Sequence, residues 1–272
     1  MANKGIDVSV HNGKINWKAV AGENIDFSII RAGYGKMESQ KDERFEYNFS
    51  GCKDNGIKCG AYWFSYASSV NEASEEAQAC LKTLRDKKLE YPVFFDIEND
   101  FQSKLSKKLC SYIAKTFCDA MEAEGYFVGI YSNKSFLESN ISDDVLKRYT
   151  VWVAHTGVDQ TSYKNPYGIW QFSHTGRVNG IDTAVDLNSG YIDYNSIIVP
   201  KGFNGYKSAA VFNKGDVVRV KQGAKSYTNE SLASFVYSTD YIISEIRNNR
   251  AVITFNDVVV AAVRTDNLIK IS

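Results

Sequence analysis

An irregular (β/α) barrel followed by a small all-β domain is the α/β fold class that this 272-residue sequence predicts. Three observations carry the prediction. Eight short runs of β-type residues punctuate the first 200 positions, and helical periods separate several of them. Composition changes near Pro200, because every Trp, Cys and Pro lies at or before it. The remainder is rich in Val, Ile and Thr, which is strand composition.

The β runs cover residues 6–10, 27–32, 60–66, 92–97, 127–131, 151–154, 169–172 and 184–187. Each is short and apolar or alternating, as strands of a buried sheet are. Between the second and third, residues 42–55 carry Phe45 and Phe49 one helical turn apart, and Gly56 supplies a stop. Residues 71–88 follow the third run, with Ala73, Ala77, Cys80, Leu81 and Leu84 on one helical face. Residues 104–124 follow the fourth, with Leu105, Leu109, Ile113 and Phe117 recurring every four positions. Strands separated by helices are expected to pair in parallel, and eight of them to close on themselves. The spacers after the sixth and seventh runs are too polar and broken for helices, so the barrel is expected to be trimmed there. Residues 1–199 form this unit, and residues 200–207, dense in turn formers, read as a linker. In residues 208–272, five short strands follow one another, with Asn248-Asn249 as a tight hairpin turn.

Charge and composition exclude several classes. Lys plus Arg and Asp plus Glu are 32 each, so no nucleic acid or anionic lipid is expected as partner. No apolar run is long enough for membrane insertion. The first residues lack the apolar stretch of a secretory signal, and five Cys is an odd number, so free thiols from a reducing compartment are expected. The three His are scattered, and neither a C-x-x-C pair nor H-E-x-x-H occurs, so neither metal nor cofactor is expected.

The sharpest chemical signal is Phe94-Phe95-Asp96-Ile97-Glu98, an apolar strand ending in two acids. Residues i and i+2 of a strand share a face with Cα atoms ~6.5 Å apart. Crowded carboxyls push their pKa values apart, leaving an acid and an ionised partner, as glycoside hydrolysis requires. Acids that merely begin a loop and face water would give the same pattern. Asp7 in the first run and Asp186 in the last would stand side by side if the barrel closes. An acid inside an apolar strand is costly unless paired or used. The aromatics Tyr34, Tyr62, Phe64, Tyr131 and Trp152, with Gln171, lie in or after the same runs. Rings beside carboxyls suit sugars, although any one of these rings also reads as core.

These pieces, with Gly5-Ile6-Asp7, Arg31-Ala32-Gly33-Tyr34-Gly35, Gly60-Ala61-Tyr62-Trp63-Phe64, Ile130-Tyr131-Ser132, Trp152-Val153-Ala154, Trp170-Gln171-Phe172 and Val185-Asp186-Leu187-Asn188, occur in order. The ordered set resembles the lysozyme-type muramidases of glycoside hydrolase family 25. The resemblance implies a TIM-like barrel that cuts the β-1,4 bond from N-acetylmuramic acid to N-acetylglucosamine in bacterial peptidoglycan. By it, Glu98 is the general acid and then the general base. Asp96 orients the acetamido group or stabilises charge near it, while Asp7 and Asp186 hold substrate and water. Tyr34, Tyr62, Phe64, Tyr131, Trp152 and Gln171 become substrate-binding. The reaction would be retaining, through an enzyme ester or an oxazolinium. Asp182-Thr183 departs from the small residues usual before the last aspartate and adds a fifth acid.

Residues 208–272 resemble bacterial Src-homology-3-like wall-binding domains, with Tyr227, Phe235, Tyr237 and Tyr241 as candidate contacts. The two-module layout matches phage or prophage endolysins, made in the host cytoplasm and released to the wall. A bacterial autolysin and a non-catalytic peptidoglycan-binding barrel are the alternatives. A wall amidase or endopeptidase lacks the His, Cys and zinc spacings it would need.

Overall fold

The computed structural model describes residues 2–208 and 210–271, and the chain divides into two compact units, Met1–Lys207 and Ser208–Ser272. In the first, β1 (Asn3–Val8), β2 (Phe27–Tyr34), β3 (Lys58–Phe64), β4 (Val93–Asp96), β5 (Val128–Asn133), β6 (Thr150–Ala154), β7 (Ile169–Gly176) and β8 (Val185–Gly190) close a barrel in sequence order. Pairing is parallel from β1 through β7. The expected all-parallel closure fails at β8, which runs antiparallel to both β7 and β1. The reason is chain length. Residues 177–184 are too few for a parallel crossover, which needs about a dozen residues or more, so the chain turns straight back.

Helices α1 (Trp17–Ala21), α2 (Phe45–Asp54), α3 (Val70–Leu84), α4 (Lys107–Ala123), α5 (Lys134–Asn140), α6 (Asp143–Arg148) and α7 (Tyr194–Lys201) surround the strands. The three long ones occupy the expected segments, α2 and α4 shortened at both ends and α3 at its C-terminus. Ser69 and Ser106 cap α3 and α4 by accepting from the N–H groups of Glu72 and Leu109. The four short ones give too little periodicity to read. Residues 155–168 and 177–184 hold no helix, as their broken pattern predicts.

Side chains sort by strand parity. Val8, Ile30, Ala61, Trp63, Val93, Phe95, Ile130 and Val153 point outward and pack with Ala73, Ala77, Cys80, Ile113 and Phe117 of the helices. Phe27, Ile29, Phe94, Tyr131, Trp152 and Ile169 belong to a second, inner cluster with Tyr194 and Ile198 of α7. Each buried large side chain stabilises the fold by ~1.5–3 kcal/mol. Gly5 and Gly129 make room inside, since a Cβ would fall 2.2 Å from the Phe27 ring and 2.5 Å from the Phe94 ring. All five Cys are free and buried.

Residues 200–207 are not a free linker. Lys201 ends α7, Gly202 caps it with φ +76°, and the following turn locks into the barrel. Asn204 is fully buried with φ +52°. Its Nδ2 donates to the carbonyls of Tyr91 (2.8 Å) and Leu89 (3.3 Å), and its Oδ1 accepts from the N–H of Phe127 (2.7 Å). Phe203 stacks edge-on against Phe127, and the Tyr206 hydroxyl donates to Glu90. The turn formers serve a packed closure rather than a flexible joint.

In the second unit, β9 (Val217–Val220), β10 (Asp240–Arg247), β11 (Arg250–Phe255), β12 (Val258–Arg264) and β13 (Leu268–Lys270) form one antiparallel sheet, ordered β12-β11-β10-β9-β13. Asn248-Asn249 is the expected two-residue turn, joining the paired Arg247 and Arg250. Asn256 and Asp257, with φ +47° and +62°, make a second one. Val218, Val220, Ile243, Ile253, Val263 and Leu268 fill a small core. Tyr241 belongs to that core at 2% exposure, so it is not a surface contact, because it shares the inward parity of Ile243. Tyr237 is half-buried and donates to the Ala224 carbonyl, whereas Tyr227 and Phe235 stand exposed.

Candidate functional site

At the pole where the parallel strands end, inward-facing positions change from apolar to polar. Asp7 lies near the end of β1, Arg31 and Tyr34 on β2, Phe64 at the end of β3 and Asp96 at the end of β4. Asp186 sits at the start of β8, directly opposite Asp7. It reaches this pole only because β8 runs backwards. A cleft of about 640 Å³ opens here, lined by Asp7, Asp96, Glu98 and Asp186 with Tyr34, Tyr62, Phe64, Tyr131 and Trp152. Arg31, Asp42 and Tyr66 also line it. A larger groove of about 740 Å³ beside Trp17 and Tyr47 has only surface acids, Glu46 and Asp54, and offers no comparable chemistry.

Glu98 stands just beyond β4. The Ile97 N–H donates to the Tyr131 carbonyl (3.1 Å), and the Ser132 hydroxyl donates to the Ile97 carbonyl (2.6 Å). Beyond it, buried Gln102 accepts from the Asn99 N–H and donates to Ser65 Oγ and the Ala67 carbonyl. Both flanks of Glu98 are therefore fixed. Its own carboxyl has no hydrogen bond or ion pair among the described residues, so both oxygens are available to a ligand.

The floor is more committed. Asp7 Oδ2 accepts from Gln171 Nε2 (2.9 Å) and Asn188 Nδ2 (2.7 Å). Gln171 Oε1 accepts from the Tyr131 hydroxyl (2.8 Å), and Asn188 Oδ1 from Trp152 Nε1 (2.8 Å). Gln171 is thus buried behind the cleft surface, where it holds Asp7 and Tyr131, rather than lining the cleft as expected of a substrate contact. Asp182, the fifth acid, is exposed and outside the cleft lining. Arg31 Nε donates to Asp42 (2.6 Å), which also accepts from the N–H groups of Val10 and Arg44. The sequence assigns no role to Asp42, Gln102 or Asn188, although Asn188 closes the Val185-Asp186-Leu187-Asn188 piece. Their signal is polarity at positions that strand parity or a tight turn buries.

Burial raises the proton affinity of all four carboxyls, and repulsion from a neighbouring carboxylate adds to it at Asp7, Asp96 and Glu98. Asp7 is pushed well up by burial and then by Asp186, against the amides of Asn188 and Gln171. Asp96 is pushed well up by burial, Glu98 and Asp7, with Arg31 opposing. Glu98 is raised by burial and by Asp186. Asp186 is raised by burial, with Asp7 and His174 opposing. The unfolded values are about 4. Each group therefore adds stability that is fully present below pH ~4 and lost as pH rises through its folded value. Glu98→Gln is accordingly expected to raise the melting temperature of the barrel at pH 7 relative to wild type, by roughly 2–4 °C per kcal/mol relieved. The gain should vanish at pH 4. All four Trp lie in the first unit, so tryptophan fluorescence follows the barrel alone. An unchanged difference across that pH range would refute the account.

Among the described residues, no group of three or more His, Cys, Asp or Glu is placed to hold a metal ion, and no helix is long and apolar enough to cross a membrane.

Comparison with known proteins agrees with the fold of the first unit. The autolytic lysozyme of Clostridium acetobutylicum is 25% identical over 81% of this chain and 66% of its own length. The modular autolysin LytC of Streptococcus pneumoniae superposes with a TM-score of 0.63 at 30% identity, over 70% of this chain and 47% of LytC. It has also been solved with a synthetic peptidoglycan ligand. A bacterial lysozyme from Streptomyces coelicolor superposes with a TM-score of 0.62 at 29% identity, over 71% of this chain and 93% of that one. This chain thus spans less than two thirds of the first of these relatives and about half of LytC. Residues 6–181, most of the barrel and its cleft, match the family described as Glycosyl hydrolases family 25, and the chain belongs to that family.

Proposed function

We propose that the barrel is an N-acetylmuramidase that hydrolyses the β-1,4 bond between N-acetylmuramic acid and N-acetylglucosamine in bacterial peptidoglycan. The observation that carries the reading is the convergence of four carboxyls, each with a raised proton affinity, in a cleft walled by aromatic rings. Glu98, half-buried, free of hydrogen bonds among the described residues and raised in proton affinity by burial and Asp186, is placed to deliver a proton to the glycosidic oxygen. Once ionised, it takes a proton from the incoming water. Asp96 Oδ1 is buried without a hydrogen-bond partner, which suits an acceptor for an acetamido N–H. Asp7 and Asp186 hold the substrate and water from the floor. Tyr62, Phe64, Tyr131 and Trp152 offer ring faces and polar edges to the sugars. The LytC complex supports the substrate class.

The second unit, in this reading, is an Src-homology-3-like module that docks on the wall through exposed Tyr227 and Phe235. Five buried free thiols suit synthesis in a reducing cytoplasm and action on the wall after release, as in a phage or prophage endolysin. The decisive test is fragment chemistry. Purified protein is incubated with Gram-positive peptidoglycan, and the products are reduced with borohydride and weighed by mass spectrometry. Reduced muramic acid ends are expected. Reduced glucosamine ends would mean a different bond. Wall binding without new reducing ends would make the barrel a binding scaffold.

A further inference from the structure

We infer that Asn188 is a positioning residue that fixes where the Asp7–Asp186 pair carries its proton and, with the same amide, seats the Trp152 ring in the cleft wall. The inference rests on the muramidase reading of this cleft. It begins with a constraint on orientation. An indole N–H can only donate, so the atom of Asn188 that faces Trp152 Nε1 at 2.8 Å must be the amide oxygen. That forces Nδ2 toward Asp7 Oδ2, 2.7 Å away. Oδ2 is then committed as an acceptor, and any proton on Asp7 must reside on Oδ1. Asp186, its direct cross-strand neighbour, is the carboxyl with which that proton can be shared.

Gln171 makes a parallel bond to Oδ2 at 2.9 Å, but its other end meets the Tyr131 hydroxyl, which can donate or accept. Its amide could turn over, whereas that of Asn188 cannot while the indole is present. Asn188 is also buried at 1% exposure, so water offers no substitute partner. The charged and titratable groups facing the pair are Asp96, Glu98, Tyr62, Tyr131 and, toward Asp186, His174, with Arg31 opposite Asp96.

Two substitutions separate the roles. Asn188→Asp keeps an oxygen for the indole but replaces the donor to Asp7 with a like charge. The acid limb of the kcat profile is expected to move up by about one pH unit, with KM within about twofold of wild type. Trp152→Phe keeps a ring in the wall but releases the amide to rotate, and it should shift the same limb although Phe touches neither carboxyl. Asn188→Ala should lose both roles, raising KM roughly tenfold and lowering kcat. A readout independent of turnover is the pH dependence of unfolding followed by tryptophan fluorescence. Asn188→Asp should lose stability relative to wild type as pH rises from 5 to 8, because its folded floor retains protons that the unfolded chain releases. Wild-type pH profiles and stability slopes in both Asn188→Asp and Trp152→Phe would overturn the assignment. So would an Asn188→Asp protein indistinguishable from Asn188→Ala. If wild type releases no reducing ends, the muramidase reading fails, while the unfolding slopes still decide the role of Asn188. If Asn188→Asp does not fold, Trp152→Phe decides it by the same slopes and profile.

Discussion

Glu98→Gln is expected to fold like wild type and to lose roughly a thousandfold in kcat on peptidoglycan, with KM little changed. Four acids share the cleft, and three of them are less suited to the acid role. Asp7 is spoken for by two amides, and Asp186 is its cross-strand partner. Asp96 lies deeper, at 3% exposure, with Arg31 near enough to oppose its protonation. Among the described residues, Glu98 combines a raised proton affinity and partial access to the cleft with a carboxyl free of hydrogen bonds, whereas Asp186, which shares the first two, has Asp7 against it as a hydrogen-bonding neighbour. Glutamine preserves its shape and removes the transferable proton, so binding should survive where turnover does not. The same variant is expected to be more stable at neutral pH, which separates loss of chemistry from loss of fold. Release of reducing ends at more than a tenth of the wild-type rate would remove Glu98 from the acid role. A comparable loss in Asp96→Asn alone would move that role to Asp96.

What the sequence made legible follows from what each signal measures. Period and parity report burial, so the barrel strands and the three long helices are legible directly, as is the meeting of Asp7 with Asp186 once the barrel closes, whereas the cleft positions of Tyr62, Tyr131 and Trp152 rest on the family resemblance. Strand direction is not encoded in parity. The antiparallel β8 followed only from the shortness of residues 177–184, and that shortness also brings Asp186 to the functional pole. Parity likewise does not distinguish a polar residue that touches ligand from one that supports it. Gln171, which the sequence places at the surface of the cleft, therefore lies behind it, and Asn188, which the sequence shows only as the last residue of the Val185-Asp186-Leu187-Asn188 piece, takes its role from the structure. In the second unit, Tyr241 looked like a surface ring because aromatic residues suit both core and contact, and only its pairing with β9 and β11 sends it inward.

The segment that composition marked as a joint leads to the largest expected loss of stability. Asn204→Ala is expected to lower the stability of the barrel by about 4 kcal/mol. Taking the lower end of the ~1–3 kcal/mol that each buried backbone group costs when left without its partner, three groups cost ~3 kcal/mol, and a residue other than glycine or asparagine in the left-handed region adds ~1 kcal/mol. The groups concerned are the carbonyls of Leu89 and Tyr91 and the N–H of Phe127, which lead into or flank β4 and β5. These strands carry Asp96 and Tyr131 at their far ends, so the closure at one pole supports the strands that build the cleft at the other. For a domain near 200 residues the loss corresponds to roughly 10 °C in melting temperature. Two controls divide the effect. Asn204→Gly removes the backbone strain but not the unpaired groups, so it should recover only about 1 kcal/mol. Asn204→Asp keeps an acceptor for Phe127 but turns a carboxyl oxygen toward the carbonyls of Leu89 and Tyr91, so at neutral pH it should be no more stable than alanine, and it should recover part of the loss at acid pH, where the protonated group can donate to one of them. Tryptophan fluorescence reads these shifts from the first unit alone. A change under about 2 °C in Asn204→Ala would return residues 200–207 to the status of a linker.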